Sequence, residues 1–360
     1  MKQKKFYVDF KEIYPLLKSI DEGETPTDKQ LLELKKIVSI SGISMRGIDT
    51  LPQSMYLLSN LRCLDLSWSD IKNIDSISNL TSLRDLDLSD IEISNMDVLS
   101  NLTKLNILRL NDSKICSIDA LANLTELQTL DIGNNSITNI DIISKFTKLR
   151  ELDISNTYVS NLEALSNLKS LRELNISNSM PINTCVLGNL TNLQELNMNG
   201  IPISNIDFLA NLTELQVLNL RYTKITNIDP ISKLLNLQNL DISSNNIIDI
   251  NALSNLRKLK LLSLGDSSIV DIDAISNLEN IKFLNLGKNK ITNIYPLSKL
   301  KNLEVLYLSE NPIISVDELS NLVNLRYLSI KGTKVSSIEK LSGLINLTGL
   351  DLSGTQISRL

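Results

Sequence analysis

One leucine pattern recurs every 22 residues from Leu61 onward, without insertion or deletion. The unit reads L-x-x-L-x-L-x-x-(N/S/T)-x-I-x-x-I-x-x-L-x-N-L-x-x, and Leu237 to Lys258 is a representative copy. Thirteen full copies are followed by a partial fourteenth that starts at Leu347. A fixed period of this length predicts a solenoid, because each repeat can pack only against its two neighbours.

The alternation inside the unit predicts its local structure. Counted from the first leucine, apolar positions 4 and 6 alternate with exposed positions 3, 5 and 7, which is typical of a short strand. Positions 11, 14, 17 and 20 are apolar at a spacing of three, which favours 3₁₀ turns. The motif is that of a leucine-rich repeat. We predict an α/β leucine-rich repeat solenoid, a curved right-handed horseshoe with a parallel sheet on its concave face and short 3₁₀ or helical turns on its convex face.

Three further expectations concern individual positions. Position 9 carries Asn135, Asn245, Asn289 and Asn311, which should be buried and hydrogen-bonded to the backbone. The aspartate that often occupies position 15 should cap the N–H groups of the following turn. In the copy at residues 171–192, Pro181 replaces the position-11 isoleucine, and Met180 and Ile182 should then fill the core, by neutral drift or as part of a functional kink or pocket.

Residues 1–60 differ from the repeats. Apolar residues at helical spacing predict a helix over Asp9 to Ile20 that Pro15 would kink or delay. Thr27 to Gln30 has the form of a capping box that opens a second helix, and residues 38–41 read as the strand of a degenerate repeat. The predicted organisation is an N-terminal helical cap with a degenerate first repeat (1–60) and a leucine-rich repeat array (61–360). The alternative for residues 1–60 is a separate interaction module.

Charge and composition narrow the classes of function. The net charge is −5 with both signs mixed along the chain, which argues against a nucleic-acid partner. The sequence has no histidine, so we expect no catalytic residues, no metal site and no cofactor. No apolar run is long enough for membrane insertion. Three cysteines in separate repeats, and a start that does not read as a signal peptide, favour a cytoplasmic protein with reduced thiols.

The outward strand positions provide the candidate binding residues. Position 5 is acidic in the first copies, and carboxylates on adjacent strands would lie about 4.8 Å apart. They could form a catalytic dyad, which we consider weak, or an acidic stripe for a basic partner or a cation. Later copies carry apolar residues at position 3, either as strand formers or as contact residues. The predicted partner-binding set is Val217, Tyr222, Leu261, Phe283, Val305, Tyr307, Tyr327, Asp87, Asp131 and Asp153.

Within this set, Phe283, Tyr307 and Tyr327 should anchor a protein partner while the acidic copies steer its basic portion. We expect no nucleic acid and no membrane insertion. Weak self-association could occur through the edge strand Leu350 to Leu352, where the repeat pattern stops.

The motif L-x-x-L-x-L-x-x-N-x-I-x-x-I-x-x-L-x-N-L resembles the short bacterial repeat of the internalins, and is similar to that of the leucine-rich regulatory subunit of type-one protein phosphatase. The resemblance covers residues 61–360 and implies a non-enzymatic scaffold that binds proteins on its concave face. The sequence carries neither the secretion signal nor the immunoglobulin-like flank and L-P-x-T-G anchor of surface internalins. Two alternatives stay open: a secreted or surface adhesion module, and the recognition part of an effector whose catalytic domain is absent.

Overall fold

The computed structural model of the chain describes residues 7–9, 13–32 and 42–358. The chain divides into two compact units, which we call unit 1 (Met1–Asn183) and unit 2 (Thr184–Leu360). Unit 1 contains the N-terminal elements and the first repeats. Unit 2 contains the later repeats.

The described residues of unit 1 contain eight short strands that pair in parallel in chain order. They are β1 (Tyr7–Asp9), β2 (Gly42–Ser44), β3 (Cys63–Asp65), β4 (Asp85–Asp87), β5 (Ile107–Arg109), β6 (Thr129–Asp131), β7 (Glu151–Asp153) and β8 (Glu173–Asn175). From β3 onward each strand covers positions 3 to 5 of its repeat, and paired residues are one repeat apart, as Leu130 and Leu152 are. The predicted parallel strands are therefore confirmed.

Within residues 184–358, unit 2 contains eight further strands that pair in parallel in the same manner. They are β9 (Glu195–Asn197), β10 (Val217–Asn219), β11 (Asn239–Asp241), β12 (Leu261–Ser263), β13 (Phe283–Asn285), β14 (Val305–Tyr307), β15 (Tyr327–Ser329) and β16 (Gly349–Asp351). Because position 4 points inward, positions 3 and 5 of every strand point to the opposite side. We call that side the strand face.

Short 3₁₀ turns follow the strands, as the spacing of three predicts. In unit 1 they are Gln53–Leu58, Asp75–Ile77, Asp97–Asn101, Asp119–Leu121, Asp141–Lys145 and Glu163–Leu165. In unit 2 they are Thr184–Asn189, Asp207–Asn211, Asp229–Lys233, Asn251–Leu253, Asp273–Ile275, Tyr295–Lys299, Asp317–Leu319 and Glu339–Gly343. We call the side of each unit that carries these turns the turn side.

The core of each repeat consists of its leucines and isoleucines. Positions 11, 14, 17 and 20 of one copy, Ile225, Ile228, Ile231 and Leu234, are at most 2% exposed. Burying an aliphatic side chain of this size contributes on the order of 1.5–3 kcal/mol. Leu350 differs, because its side chain is 38% exposed although it occupies the inward position 4.

The asparagines at position 9 form the predicted hydrogen-bonded ladder. Asn245 is 4% exposed, and its Nδ2 donates to the carbonyl oxygens of Leu220 and Ile242 at 2.8 and 2.9 Å. Its Oδ1 accepts from the backbone N–H groups of Thr223 and Ile225 at 3.1 and 3.2 Å. One amide therefore ties two successive repeats together and satisfies backbone groups in both.

A second row of asparagines, at position 22, was not predicted. Each of these side chains donates through Nδ2 to the carbonyl oxygen of the residue 23 positions earlier, at 2.8–3.0 Å. The members are Asn236, Asn280, Asn302, Asn324 and Asn346, all in unit 2. The row satisfies carbonyl groups in the loop that precedes each strand. Unit 2 thus has an asparagine ladder at both ends of its strands.

The prediction that the aspartates at position 15 cap the turns was wrong, because the capping side chain lies two residues earlier, at position 13. Ile74, the residue before the turn Asp75–Ile77, provides no side-chain cap, and the backbone N–H of Asp75 donates to Oδ1 of Asn73 at 2.7 Å. The same bond from position 15 to a position-13 side chain recurs at Asp141 and Asp207. An Asn, Asp or Ser side chain at position 13 accepts a hydrogen bond from the N–H of position 15, in an Asx-type turn. The position-15 carboxylate lies in the first turn, where the helix dipole favours it.

Position 8 has a left-handed backbone in every repeat of the array. Most copies place Asn, Asp, Ser or Gly there, residue types that tolerate this conformation or relieve it by local hydrogen bonds. Four copies place bulkier residues there, namely Trp68, Tyr222, Lys288 and Glu310, with φ between 55° and 59°. A long side chain at positive φ costs on the order of 1 kcal/mol. At position 8, these four repeats therefore carry backbone strain that the other copies avoid, although Lys114 and Lys224, at position 10, also have positive φ.

Lys288→Asn should therefore raise the free energy of unfolding by about 0.5–1 kcal/mol, because asparagine tolerates φ near 56° better than lysine. Urea unfolding of the two proteins measures the difference. Lys290→Asn is the matched control, since Lys290 is exposed two residues away and has no positive φ. An equal gain in both variants would show that loss of a positive charge, rather than backbone conformation, is responsible.

The N-terminal helix begins later than predicted. Asp9 is the last residue of β1 instead of the start of the helix, and α1 spans Tyr14–Asp21 with Pro15 in its first turn, where its missing N–H needs no partner. The carboxylate of Asp21 accepts from the backbone N–H groups of Gln53 and Ser54 at 2.7 and 2.8 Å. Phe10 and the predicted strand at 38–41 lie outside the described residues.

The capping box at Thr27 is confirmed. Residues 28–32 are helical, and the backbone N–H of Thr27 donates to Oε1 of Gln30 at 2.9 Å. The backbone N–H of Gln30 in turn donates to the Thr27 hydroxyl at 3.4 Å. The reciprocal pair satisfies two N–H groups at the start of this helix.

The prediction for the irregular copy was wrong. Met180 and Ile182 are 74% and 85% exposed, so neither side chain fills the core, while Pro181 is partly buried at position 11. Because the copy keeps its 22-residue length, its inward positions remain inward. Positions 10 and 12 point outward here as in other repeats, where Tyr158 and Ile248 are also exposed.

Candidate binding surface

Three predicted contact residues form a contiguous aromatic cluster on the strand face of unit 2. The rings of Phe283 and Tyr307 lie 5.7 Å apart between centroids, and those of Tyr307 and Tyr327 lie 5.2 Å apart. The interplanar angles of 51° and 43° are tilted arrangements that aromatic pairs favour. All three side chains are partly buried. Strands β13, β14 and β15 thus place Phe283 (position 3), Tyr307 (position 5) and Tyr327 (position 3) side by side on one surface.

Aliphatic residues extend one edge of this aromatic cluster. Leu261 pairs in register with Phe283, and Val305 lies between Phe283 and Tyr327 in the same column. Val217 does not join them, because Asn239 occupies the intervening strand. The continuous apolar column runs from Leu261 to Tyr327.

Gly349 is a determinant of the aromatic cluster that the sequence reading missed. A Cβ atom at this position would meet Cδ2 of Tyr327 at 2.6 Å, closer than side chains tolerate. The Tyr327 ring therefore lies over the Gly349 backbone, one strand beyond the other aromatic residues. Glycine at position 3 in only this copy is the signal that could have indicated the overlying ring.

Tyr222 is the exposed member of the predicted set. Its side chain is 53% exposed, and the guanidinium of Arg221 lies 4.7 Å from its ring centroid. Nη2 of Arg221 also donates to the Tyr222 hydroxyl at 3.3 Å. The hydrogen bond with Ser244 lowers the pKa of the Tyr222 phenol most, and the hydrogen bond from Arg221 lowers it further. The ring is thus held in one orientation although it faces solvent.

A depression of about 340 Å³ lies on the strand face between Tyr222 and the aromatic cluster. Its lining includes the small residues Ser243, Ser263, Gly265 and Gly287. Larger side chains that line it include Arg221, Tyr222, Asp241, Asp266, Lys288, Tyr307 and Glu310. Tyr307 belongs both to this depression and to the aromatic cluster, so the two features are continuous.

The predicted acidic residues lie on the strand face of unit 1 and are less exposed than expected. Asp87, Asp131 and Asp153 are partly buried, and each uses Oδ1 to accept from the backbone N–H two residues later, at 2.8–3.1 Å. Nη1 of Arg109 lies 3.2 Å from Oδ1 of Asp85 and 4.0 Å from Oδ2 of Asp87. The row is a hydrogen-bonded turn element with one neutralising arginine rather than a free acidic stripe.

One carboxylate of this row has an unusual protonation equilibrium. Burial first, and then the neighbouring Asp153 carboxylate, raise the pKa of Asp131 from 3.8 to about 6. The Gly133 N–H and the Arg109 guanidinium act in the opposite direction. Asp131 and Asp153 are paired residues on β6 and β7, so their repulsion follows from the register.

Within the described part of the chain, no three or more His, Cys, Asp or Glu side chains are grouped to hold a metal ion. Cys63 is partly buried and Cys116 and Cys185 are exposed, and none of the three forms a disulfide. A membrane-crossing helix is likewise not found among the described residues.

The family model for leucine rich repeats (two copies) matches residues 125–167, 213–255, 279–323 and 301–343. No curated protein matches the chain in sequence. Among solved structures, the internalin InlF of Listeria monocytogenes is 28% identical, with 94% of this chain and 93% of that chain covered and a TM-score of 0.72.

Two further structures share the fold at lower identity. A leucine-rich repeat protein of Leptospira interrogans is 23% identical, with 93% of this chain and 95% of that chain covered and a TM-score of 0.78. The plant peptide hormone receptor RGFR1, solved in complex with RGF2, is 22% identical, with 90% of this chain and 64% of that chain covered and a TM-score of 0.65.

Proposed function

Because this chain is a leucine-rich repeat protein with internalin-like repeats, we propose that it is a non-enzymatic scaffold that binds a protein partner on its strand face. The observation that carries this proposal is the aromatic cluster of Phe283, Tyr307 and Tyr327. Aromatic side chains in mutual contact on the outer face of a sheet offer a rigid apolar area of the kind found at binding hot spots.

The class of partner follows from charge and fold. A net charge of −5 supports a protein rather than a nucleic acid, because phosphate binding needs a concentrated basic face. A receptor of the same fold was solved in complex with RGF2, which supports a protein or peptide partner here. The acidic row of unit 1 would raise the association rate of a basic partner, an effect that weakens with salt.

The test starts by identifying the partner. A photoreactive phenylalanine analogue at position 283 captures proteins that contact the aromatic cluster, and the same analogue at position 299, on the turn side, is the control. The captured protein, once purified, is titrated against the variants Phe283→Ala and Tyr327→Ala. We expect each variant to weaken binding by about tenfold or more.

Lys299→Ala should leave the affinity unchanged, because Lys299 is exposed in the turn Tyr295–Lys299, away from the strands. Circular dichroism of each variant checks that the repeats remain folded. Equal loss in all three variants, or no loss in any, would move the contact surface elsewhere and reject the aromatic cluster as the anchor.

The second candidate function is a secreted or surface adhesion module, which the likeness to InlF over 94% of the chain favours. We propose the cytoplasmic alternative, because Cys116 is an exposed thiol that an oxidising compartment would modify. Fractionation of the source cells distinguishes the two, and recovery of the chain outside the cytoplasm would reject our choice.

A further inference from the structure

The strained residues at position 8 are not spread evenly along unit 2. Tyr222, Lys288 and Glu310 have φ of 55–56°, and all three line the same depression on the strand face. Other copies of unit 2 place Gly200, Ser244, Asp266, Gly332 and Gly354 at this position. Ser244 and Asp266, the position-8 residues between them, line the depression as well. The three bulky position-8 side chains of unit 2 therefore all meet in this one depression.

The charges around the depression are unequal. Three carboxylates line it, from Asp241, Asp266 and Glu310, against the two cations of Arg221 and Lys288. Arg221 is already engaged, since its guanidinium stacks on the Tyr222 ring and donates to the hydroxyl of that residue. Three carboxylates against two cations leave one net negative charge, which favours a cation in the depression, beside hydroxyl groups that can accept its hydrogen bonds.

One carboxylate is also fixed in position. Oδ1 of Asp241 accepts from the backbone N–H of Ser243 at 3.0 Å and from the Ser243 hydroxyl at 2.5 Å. A carboxylate that is held in this way needs no reordering when a ligand arrives, which reduces the entropy lost on binding. Tyr222, pinned by Arg221, provides a second preorganised wall.

We propose that this depression receives an arginine or lysine side chain of the protein partner, next to the residues that contact the aromatic cluster. The inference rests on the proposed function, because the depression and the cluster share Tyr307. Asp241 and Asp266 would pair with the cation, and Tyr222 would cover its aliphatic stem. The positive charge of Lys288 would repel the incoming cation. This repulsion limits the site to partners that carry the basic residue in the right place.

The test uses a small probe, so that it does not depend on the partner. Acetyl-arginine amide is titrated into the intact chain while the NMR signals of the Gly265 and Gly287 amides are followed. Acetyl-citrulline amide has nearly the same shape without the charge and is the matched control, and acetyl-glutamate amide tests the opposite charge. We expect the arginine probe to shift both glycine signals and the other two probes to leave them in place.

Two variants with opposite expected effects sharpen the test. Asp266→Asn should weaken binding of the arginine probe by about two- to fivefold, the usual effect of one partly exposed charge pair. Lys288→Gln should strengthen it by a similar factor of about two to five, because a repelling charge is removed. Glu279→Gln and Lys290→Gln alter exposed charges outside the depression and should change nothing.

Several results would overturn the proposal. These are equal shifts from the arginine and citrulline probes, a stronger response to the glutamate probe, or no response to any probe. A hexose that shifts the same amides while the arginine probe does not would point to a saccharide site. None of these outcomes bears on the proposal that the aromatic cluster anchors the partner, because that proposal is tested separately with Phe283→Ala and Tyr327→Ala.

Discussion

Replacing Asn245 by alanine should lower the free energy of unfolding by about 3–5 kcal/mol, because each buried backbone group that loses its partner costs on the order of 1–3 kcal/mol. The substitution removes the acceptor of the Thr223 and Ile225 N–H groups and a donor to the Ile242 carbonyl oxygen. Urea unfolding measures the loss. Hydrogen exchange of the Thr223 and Ile225 amides should accelerate, since repeat arrays open locally.

The other copies suggest a milder variant of the same site. Thr157 and Thr333 occupy position 9 elsewhere, and each donates its hydroxyl to the carbonyl oxygen three residues earlier, at 2.7 Å. Asn245→Thr should keep that bond and lose about 1–2 kcal/mol. Asn246→Ala is the control, because Asn246 is the exposed neighbour. If Asn245→Ala and Asn246→Ala unfold at the same urea concentration, the ladder does not stabilise the array.

Asp131→Asn should stabilise the chain at neutral pH by about 1–2 kcal/mol. The folded-state pKa of Asp131 is about 6, against an ordinary value of 3.8. The folded state therefore keeps this proton to higher pH than the unfolded state, so stability falls as the pH rises from about 4 to above 6. A shift of about two pKa units corresponds to about 3 kcal/mol, which solvent screening of a partly exposed group reduces.

Asparagine retains the local bond at this site, because Asn175 and Asn197 at position 5 accept from the N–H two residues later, as Asp131 does. In urea unfolding at about pH 4 and about pH 8, Asp131→Asn should be more stable than the unchanged chain only at about pH 8. Asp241→Asn is the control, since Asn219 and Ser263, its position-5 neighbours, carry no charge. If Asp131→Asn raises the free energy of unfolding equally at both pH values, the effect comes from packing rather than from charge.

The candidate site could be read only in part from the sequence. The leucine pattern places Phe283 and Tyr327 in one column and Tyr307 beside it, so their proximity was predictable. The role of Gly349 depends on the direction in which the Tyr327 ring turns, which no spacing indicates. The depression depends on the small residues Gly265 and Gly287 and on side chains at positions 5, 7 and 8 of several repeats.

The 22-residue period by itself determined the parallel strands, the 3₁₀ turns, the inward leucines and the asparagine ladder. The physical reason is that each repeat packs on a copy of itself, so equivalent positions meet and one rule serves the whole array. Only the tertiary structure decided which residue caps each turn, where the backbone is strained, and how far the pKa of Asp131 rises. These properties depend on burial, on local backbone conformation and on side-chain directions, which the repeat pattern leaves open.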